Sequence, residues 1–124
     1  MFKQLVPFKL EDTARDKNPR SNVYNYVDQQ PAAGYNVRDY IQRNLKYPEA
    51  SKQANIEQSV PVKFVVNEDG HISDALLLRT IAGGYDEEAL RVISGMPPWL
   101  AGEQNGKKVK VYAAELVTFA NTAR

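Results

Sequence analysis

Cysteine is absent from the 124 residues, and histidine occurs once, as His71. Without thiols there are no disulfides, cysteine-held zinc ions, iron–sulfur clusters or thiol nucleophiles. One imidazole rules out histidine-pair metal sites and leaves little for acid–base chemistry. Long apolar runs are missing too. The longest, such as Leu5–Phe8, Ala75–Leu78 and Val111–Ala114, reach about four residues, whereas a membrane-spanning helix needs about 20. The N-terminus is likewise too short in apolar residues for a signal peptide. This leaves two readings: a soluble unexported chain, or a fragment parted from its anchor or leader. Nor is there an excess of charge. Sixteen Lys and Arg balance fifteen Asp and Glu, for a net charge of +1, unlike the basic domain of a nucleic-acid binder. No nucleic-acid partner is expected.

What is present suits one globular domain. Hydrophobic residues at 43% and charged residues at 25% are ordinary for a folded chain, and the length falls within the range of about 100–200 residues for a single domain. Residues 1–35 stand apart, with Pro7, Pro19, Pro31 and the charged run Glu11–Lys17 but no sustained periodicity. They read as an arm or linker, with Val23–Val27 able to form a short strand. Residues 36–124 carry the domain.

Val37, Tyr40, Ile41 and Leu45 recur at helical spacing behind Asn36, whose side chain suits an N-cap. Tyr47-Pro48 ends that helix, and Pro48 can open a second short one reaching about Asn55. Val60, Val62, Phe64 and Val66 share one face of a strand, with Ser59, Pro61 and Lys63 on the other. Asn67-Glu68-Asp69-Gly70 turns the chain into a second strand from His71 to Thr80, with a bulge expected near Ser73-Asp74. Asp86 is an N-cap candidate for a helix stopped at Gly95, with Tyr85 and Leu90 placed as a staple. A loop over Ala101–Gly106 then leads to a third strand, Lys107–Phe119. The expected fold is α+β, a three-stranded antiparallel sheet in the order 2-1-3 with helices on one face. Pro61 opposes a central position for the first strand unless it sits at the strand start or a bulge.

No side chains converge as catalysis requires, so no enzyme is expected. His71 beside the turn, with Asp69 and Asp74 near it, reads as a solvated turn histidine. Glu87-Glu88 complements a helix start. Gly83-Gly84 is a weak anion-binding signal, and no phosphate-binding glycine motif occurs. Lys107, Lys108 and Lys110 read as a solvated strand end. On an edge strand they guard against aggregation, or border a groove where another chain adds a strand.

Several segments, in this order and spacing, resemble the C-terminal domain of TonB-type energy transducers, in the version found in Bacteroidetes-like bacteria. They are Asn44-Leu45-Lys46-Tyr47-Pro48-Glu49-Ala50, Val60 through Gly70 with Ile72-Ser73-Asp74, Tyr85 through Leu90, Met96-Pro97-Pro98-Trp99, Gly102 through Lys107, and Val109-Lys110-Val111. The resemblance covers about residues 30–119. It implies a non-enzymatic periplasmic module, without cofactor or metal, that couples a proton-driven inner-membrane motor to outer-membrane receptors in nutrient uptake. The module would accept the receptor's extended TonB box as an added strand. The matching accepting edge is Val109, Lys110, Val111, Tyr112 and Ala113, bordered by Tyr47, Pro48 and Lys108. The family's N-terminal membrane anchor, its link to the motor and inner membrane, lies outside this sequence. Where close relatives read Tyr-x-Leu-Pro, this chain holds Ala113, Glu115 and Leu116, which turns Glu115 toward the core. The alternative is a stand-alone structural or regulatory interaction domain, including a homodimer, built on the same fold.

Overall fold

A computed structural model of the chain describes residues 22–53 and 57–120. In chain order the elements are β1 (Val23–Tyr24), α1 (Val37–Asn44), α2 (Glu49–Gln53), β2 (Gln58–Val66), β3 (Ile72–Leu77), α3 (Tyr85–Ser94), β4 (Gly102–Gln104) and β5 (Lys107–Phe119). Most of the arm's prolines and its charged run, and the end of the expected second helix near Asn55, lie outside the described residues.

The expected 2-1-3 arrangement appears as β3-β2-β5, but the sheet has five strands rather than three. Its order is β1-β5-β2-β3, with β4 also paired to β5. The correction follows from strand length. β5 runs for 13 residues against nine in β2, so its first residues extend beyond the β2 ladder, which ends at Val66↔Val111. Backbone groups left there need partners. β4 supplies them by folding back through Asn105-Gly106, both at positive φ, to pair Gly102 with Val109. β1 adds alongside, Val23 opposite Lys110 and Tyr24 opposite Val111, in parallel. The sheet is therefore mixed, and Gly102–Gln104 is strand rather than loop.

Pro61 sits in the middle of β2, at neither the strand start nor a bulge. Leu78 N donates to its carbonyl at 2.9 Å. In an antiparallel ladder a residue's N–H and C=O face the same flank, so the missing N–H points to the β3 side. There β3 has just ended at Leu77, and the proline removes a single donation. The expected bulge is present. Ladder register shifts between Lys63 and Val65, and Asp74 takes φ 54°.

The even residues of β2 (Val60, Val62, Phe64, Val66) and Val117 and Phe119 of β5 bury one face of the sheet. Tyr85, Ala89, Val92 and Ile93, one stripe of α3 at helical spacing, close over it, joined by Ile41 of α1. Asn36 caps α1, its Oδ1 accepting from Asp39 N at 2.9 Å. Asp86 does not cap α3. Gly84 holds that position at φ 92°, and Asp86 accepts from Ile81 N instead, tying down the loop ahead of the helix. The aromatic rings meet edge-on in three groups: Tyr47 and Tyr85 on Phe119, Phe64 on Trp99, and Tyr35 on Tyr40.

Candidate functional site

β5 has two flanks, and their occupants decide where another chain can attach. Since Pro61 turns its backbone groups toward β3, alternation turns those of Val60, Val62 and Phe64 toward β5. Their partners Val117, Glu115 and Ala113 answer them. Ala114, Leu116 and Thr118 then point their N–H and C=O groups to the outer flank. The two ends of that flank are occupied. β1 lies along Lys110 and Val111. At the other end Gln42 of α1 donates from Nε2 to Thr118 O at 3.0 Å, and Tyr47 Oη accepts from Ala120 N at 3.2 Å. Between these ends, Ala114 and Leu116 are paired with β2 on the inner side, and no described strand lies along their outer flank.

Beside this open stretch, between β5 and α1, lies a groove of about 360 Å³ lined by Arg38, Ile41, Gln42, Glu57, Glu115 and Leu116 among others. Glu115 enters it from the helix-covered face of β5, as its position in the alternation predicts. Burial raises its pKa above the usual carboxylate value, because removal from water disfavours the charged form. It makes no hydrogen bond or ion pair with described residues. Tyr35 stands close by. Burial pushes its phenol up and the Trp99 indole opposes this, while the Tyr40 and Glu115 charges add to the rise. The Tyr35 hydroxyl donates to Pro97 O, and the buried Trp99 Nε1 finds no partner in hydrogen-bond geometry among the described residues.

A sequence profile for the Gram-negative bacterial TonB protein C-terminal domain matches residues 43–120. The chain belongs to this family. TonB C-terminal domains are non-enzymatic interaction modules of energy transducers, working in the periplasm and engaging outer-membrane receptors. No curated protein matches the chain. The match takes in β2 through β5 and leaves out β1 and all but the end of α1.

In this TonB C-terminal domain the five residues expected to accept a strand lie in different surroundings. Val109 pairs with Gly102. Lys110 and Val111 lie against β1. Tyr112 turns its ring to the face opposite the helices, beneath Lys63 Nζ at 4.0 Å from the centroid. Ala113 adjoins the open stretch. Of the expected border residues, Tyr47 stands beside the flank through its bond to Ala120. Pro48 packs near Gly84 at the start of α3, and Lys108 lies in the hairpin opposite Glu103. Sequence reading missed Gln42 and Arg38, which belong to the polar side of α1 and reach the flank only through the helix's placement. His71 is exposed and paired with Asp69, Nδ1 to Oδ2 at 3.0 Å, away from the groove. No described helix is long and apolar enough to cross a membrane.

Proposed function

We propose that the domain accepts the short extended TonB box of an outer-membrane receptor as an added strand on the outer flank of β5. In this way it couples the proton-driven motor of the inner membrane to active nutrient uptake. The incoming segment runs from Ala113 toward Thr118, overlapping the stretch expected from the sequence at Ala113. The observation that supports this reading is the pair of outward-facing backbone positions, Ala114 and Leu116, lying between β1 and the Gln42 and Tyr47 contacts. Main-chain hydrogen bonds supply affinity in this mode of recognition, and alternate side-chain pockets supply specificity. The affinity is modest, because an extended peptide loses conformational freedom when it docks.

The test is a titration of the isotope-labelled chain with synthetic TonB-box peptides from receptors of the same organism. Amide shifts at Ala114, Leu116 and Thr118, with the Gln42 side-chain amide, are expected. Shifts elsewhere without these would overturn the reading.

A second reading, self-association, is favoured by the open face of the sheet. There Leu116 and Leu78 flank Pro61 and stand 55% and 56% exposed, with Leu76 at 53%. Light scattering distinguishes the two. A concentration-dependent dimer without peptide favours self-association, and a monomer favours strand addition.

A further inference from the structure

A strand added along Ala113–Thr118 sets alternate side chains on the two faces of the sheet. The residue opposite Glu115 lies on the same face as Glu115, because cross-strand neighbours share a face. That face opens into the groove between β5 and α1. The approaching side chain therefore runs over Ile41, which is buried, and ends among Glu115, Glu57 and Arg38. Two carboxylates and one guanidinium leave this groove net negative. Glu115 is half-buried and makes no ion pair or hydrogen bond with described residues, unlike Glu88, which holds Arg91 at 2.6 Å. A partly desolvated carboxylate without a donor is a group that a binding partner can satisfy. A long cationic side chain fits both parts of the groove, its aliphatic stem on the apolar floor and its charged head among the carboxylates.

From this placement we infer that Glu115 is a specificity-determining residue: it selects receptor segments carrying a lysine or arginine at the position that pairs with it. The inference rests on strand addition at this flank. Burial of Glu115 raises its pKa, which agrees with a carboxylate that lacks a cation in the free domain. Arg38 on the groove's rim competes with the incoming cation, so removing it strengthens the preference.

The test uses the full chain and peptides based on receptor TonB-box segments, identical except at one position. That position carries Lys, norleucine or Glu and is scanned along the peptide, with calorimetry for affinity and amide shifts at Ala114 and Leu116 for the mode of binding. At one position Lys is expected to bind about tenfold tighter than norleucine, as a charge-assisted contact in a part-buried site should. Glu115→Gln is expected to reduce that advantage to about twofold or less, because the remaining amide carries no charge. Arg38→Gln is expected to enlarge it. The amide spectrum of each variant checks that the sheet is intact. Shifts at Ala114 and Leu116 with no position favouring Lys, or a preference that survives Glu115→Gln, overturn the inference and leave strand addition standing. Absence of those shifts with every peptide overturns both.

Discussion

A β-carbon at Gly70 would lie 2.0 Å from the Trp99 carbonyl oxygen, and the residue takes φ 90°. Two requirements meet there. The turn needs left-handed backbone, which glycine adopts freely, and Trp99 N donates to Gly70 O at 2.8 Å, bringing the two backbones together. Gly70→Ala should lower stability by about 3 kcal/mol or more, strain and clash acting together, and a urea melt reads this directly. Only the first requirement was visible in the sequence, from Asn67-Glu68-Asp69-Gly70; contact with residue 99 depends on the folded chain. Glu115 shows the same division. Alternation along Lys107–Phe119 put its side chain on the buried face, but not the groove that keeps it part-hydrated. Its pKa is raised from 4.5 by burial. The stability it allows is therefore full below that value and declines as pH rises through the raised one. Glu115→Gln should remove this decline, so its melting temperature should exceed that of the parent at pH 7 and approach it at pH 4. Tyr35, Arg38 and Glu57 are the other titratable groups around it, and the parent's own curve serves as their control. An unchanged difference between the two pH values would contradict the assignment.

Helices α1 and α3 are joined by one acid. Glu88 accepts from Lys46 N just past the end of α1 and from Arg91 Nε and Nη2, while Arg91 also donates to Asn44 O at 2.8 Å. Asn44 O is one of the carbonyls a helix end leaves without an internal partner, so the pair acts as a cap supplied by a neighbouring helix. The Arg91 contact is the main cause holding the Glu88 pKa below 4.5, and the sign is opposite to that of Glu115. Its stabilisation is present above 4.5 and is lost as pH falls through the lowered value. Glu88→Gln should cost about 1 kcal/mol at pH 7, kept small by the solvent-exposed side of Arg91, and nothing near pH 2. Equal losses at both pH values would show a packing role instead. The sequence placed Glu87 and Glu88 at a helix start and assigned them to its dipole; the bridge to residues 44 and 46 depends on how the two helices pack. The strands divide similarly. β2 and β5 were legible because their alternation is regular, and β3 because it follows the Asn67-Glu68-Asp69-Gly70 turn, although its alternation breaks at the bulge near Asp74. β4 was hidden as three residues opening on Gly102 inside an expected loop, whereas β1 falls within the expected Val23–Val27 strand and only its pairing with β5 was not legible.

The arm changes how the whole molecule holds together. From β1 the chain reaches the tip of the β4–β5 hairpin, where Asp28 Oδ2 accepts from Asn105 N at 2.9 Å and Gln104 Oε1 accepts from Asp28 N. It then runs antiparallel to the segment holding β4. Gln29 and Glu103 exchange backbone bonds of 3.1 and 2.9 Å, and Ala32 and Leu100 exchange bonds of 3.1 and 2.6 Å. Val23 and Val27 are buried. The arm thus grips the free end of β5 from both β1 and β4, and sets the limit at which an added strand can begin. Gly102 permits the closest approach, for a β-carbon there would lie 2.8 Å from Val111 Cγ2, 3.1 Å from Pro31 Cδ and 3.2 Å from Gln29 O. Gly102→Val should push the arm off the hairpin while leaving the β2–β5 ladder in place. Amide hydrogen exchange separates these parts. In the parent chain the amides of Gln29, Ala32, Leu100 and Glu103 should exchange as slowly as those of Val62 and Phe64. In Gly102→Val the first four should speed up by about tenfold or more, while the ladder amides stay protected. If all six accelerate together, the arm and the sheet form one cooperative unit, and β1 cannot be released from Lys110 and Val111 without unfolding the domain.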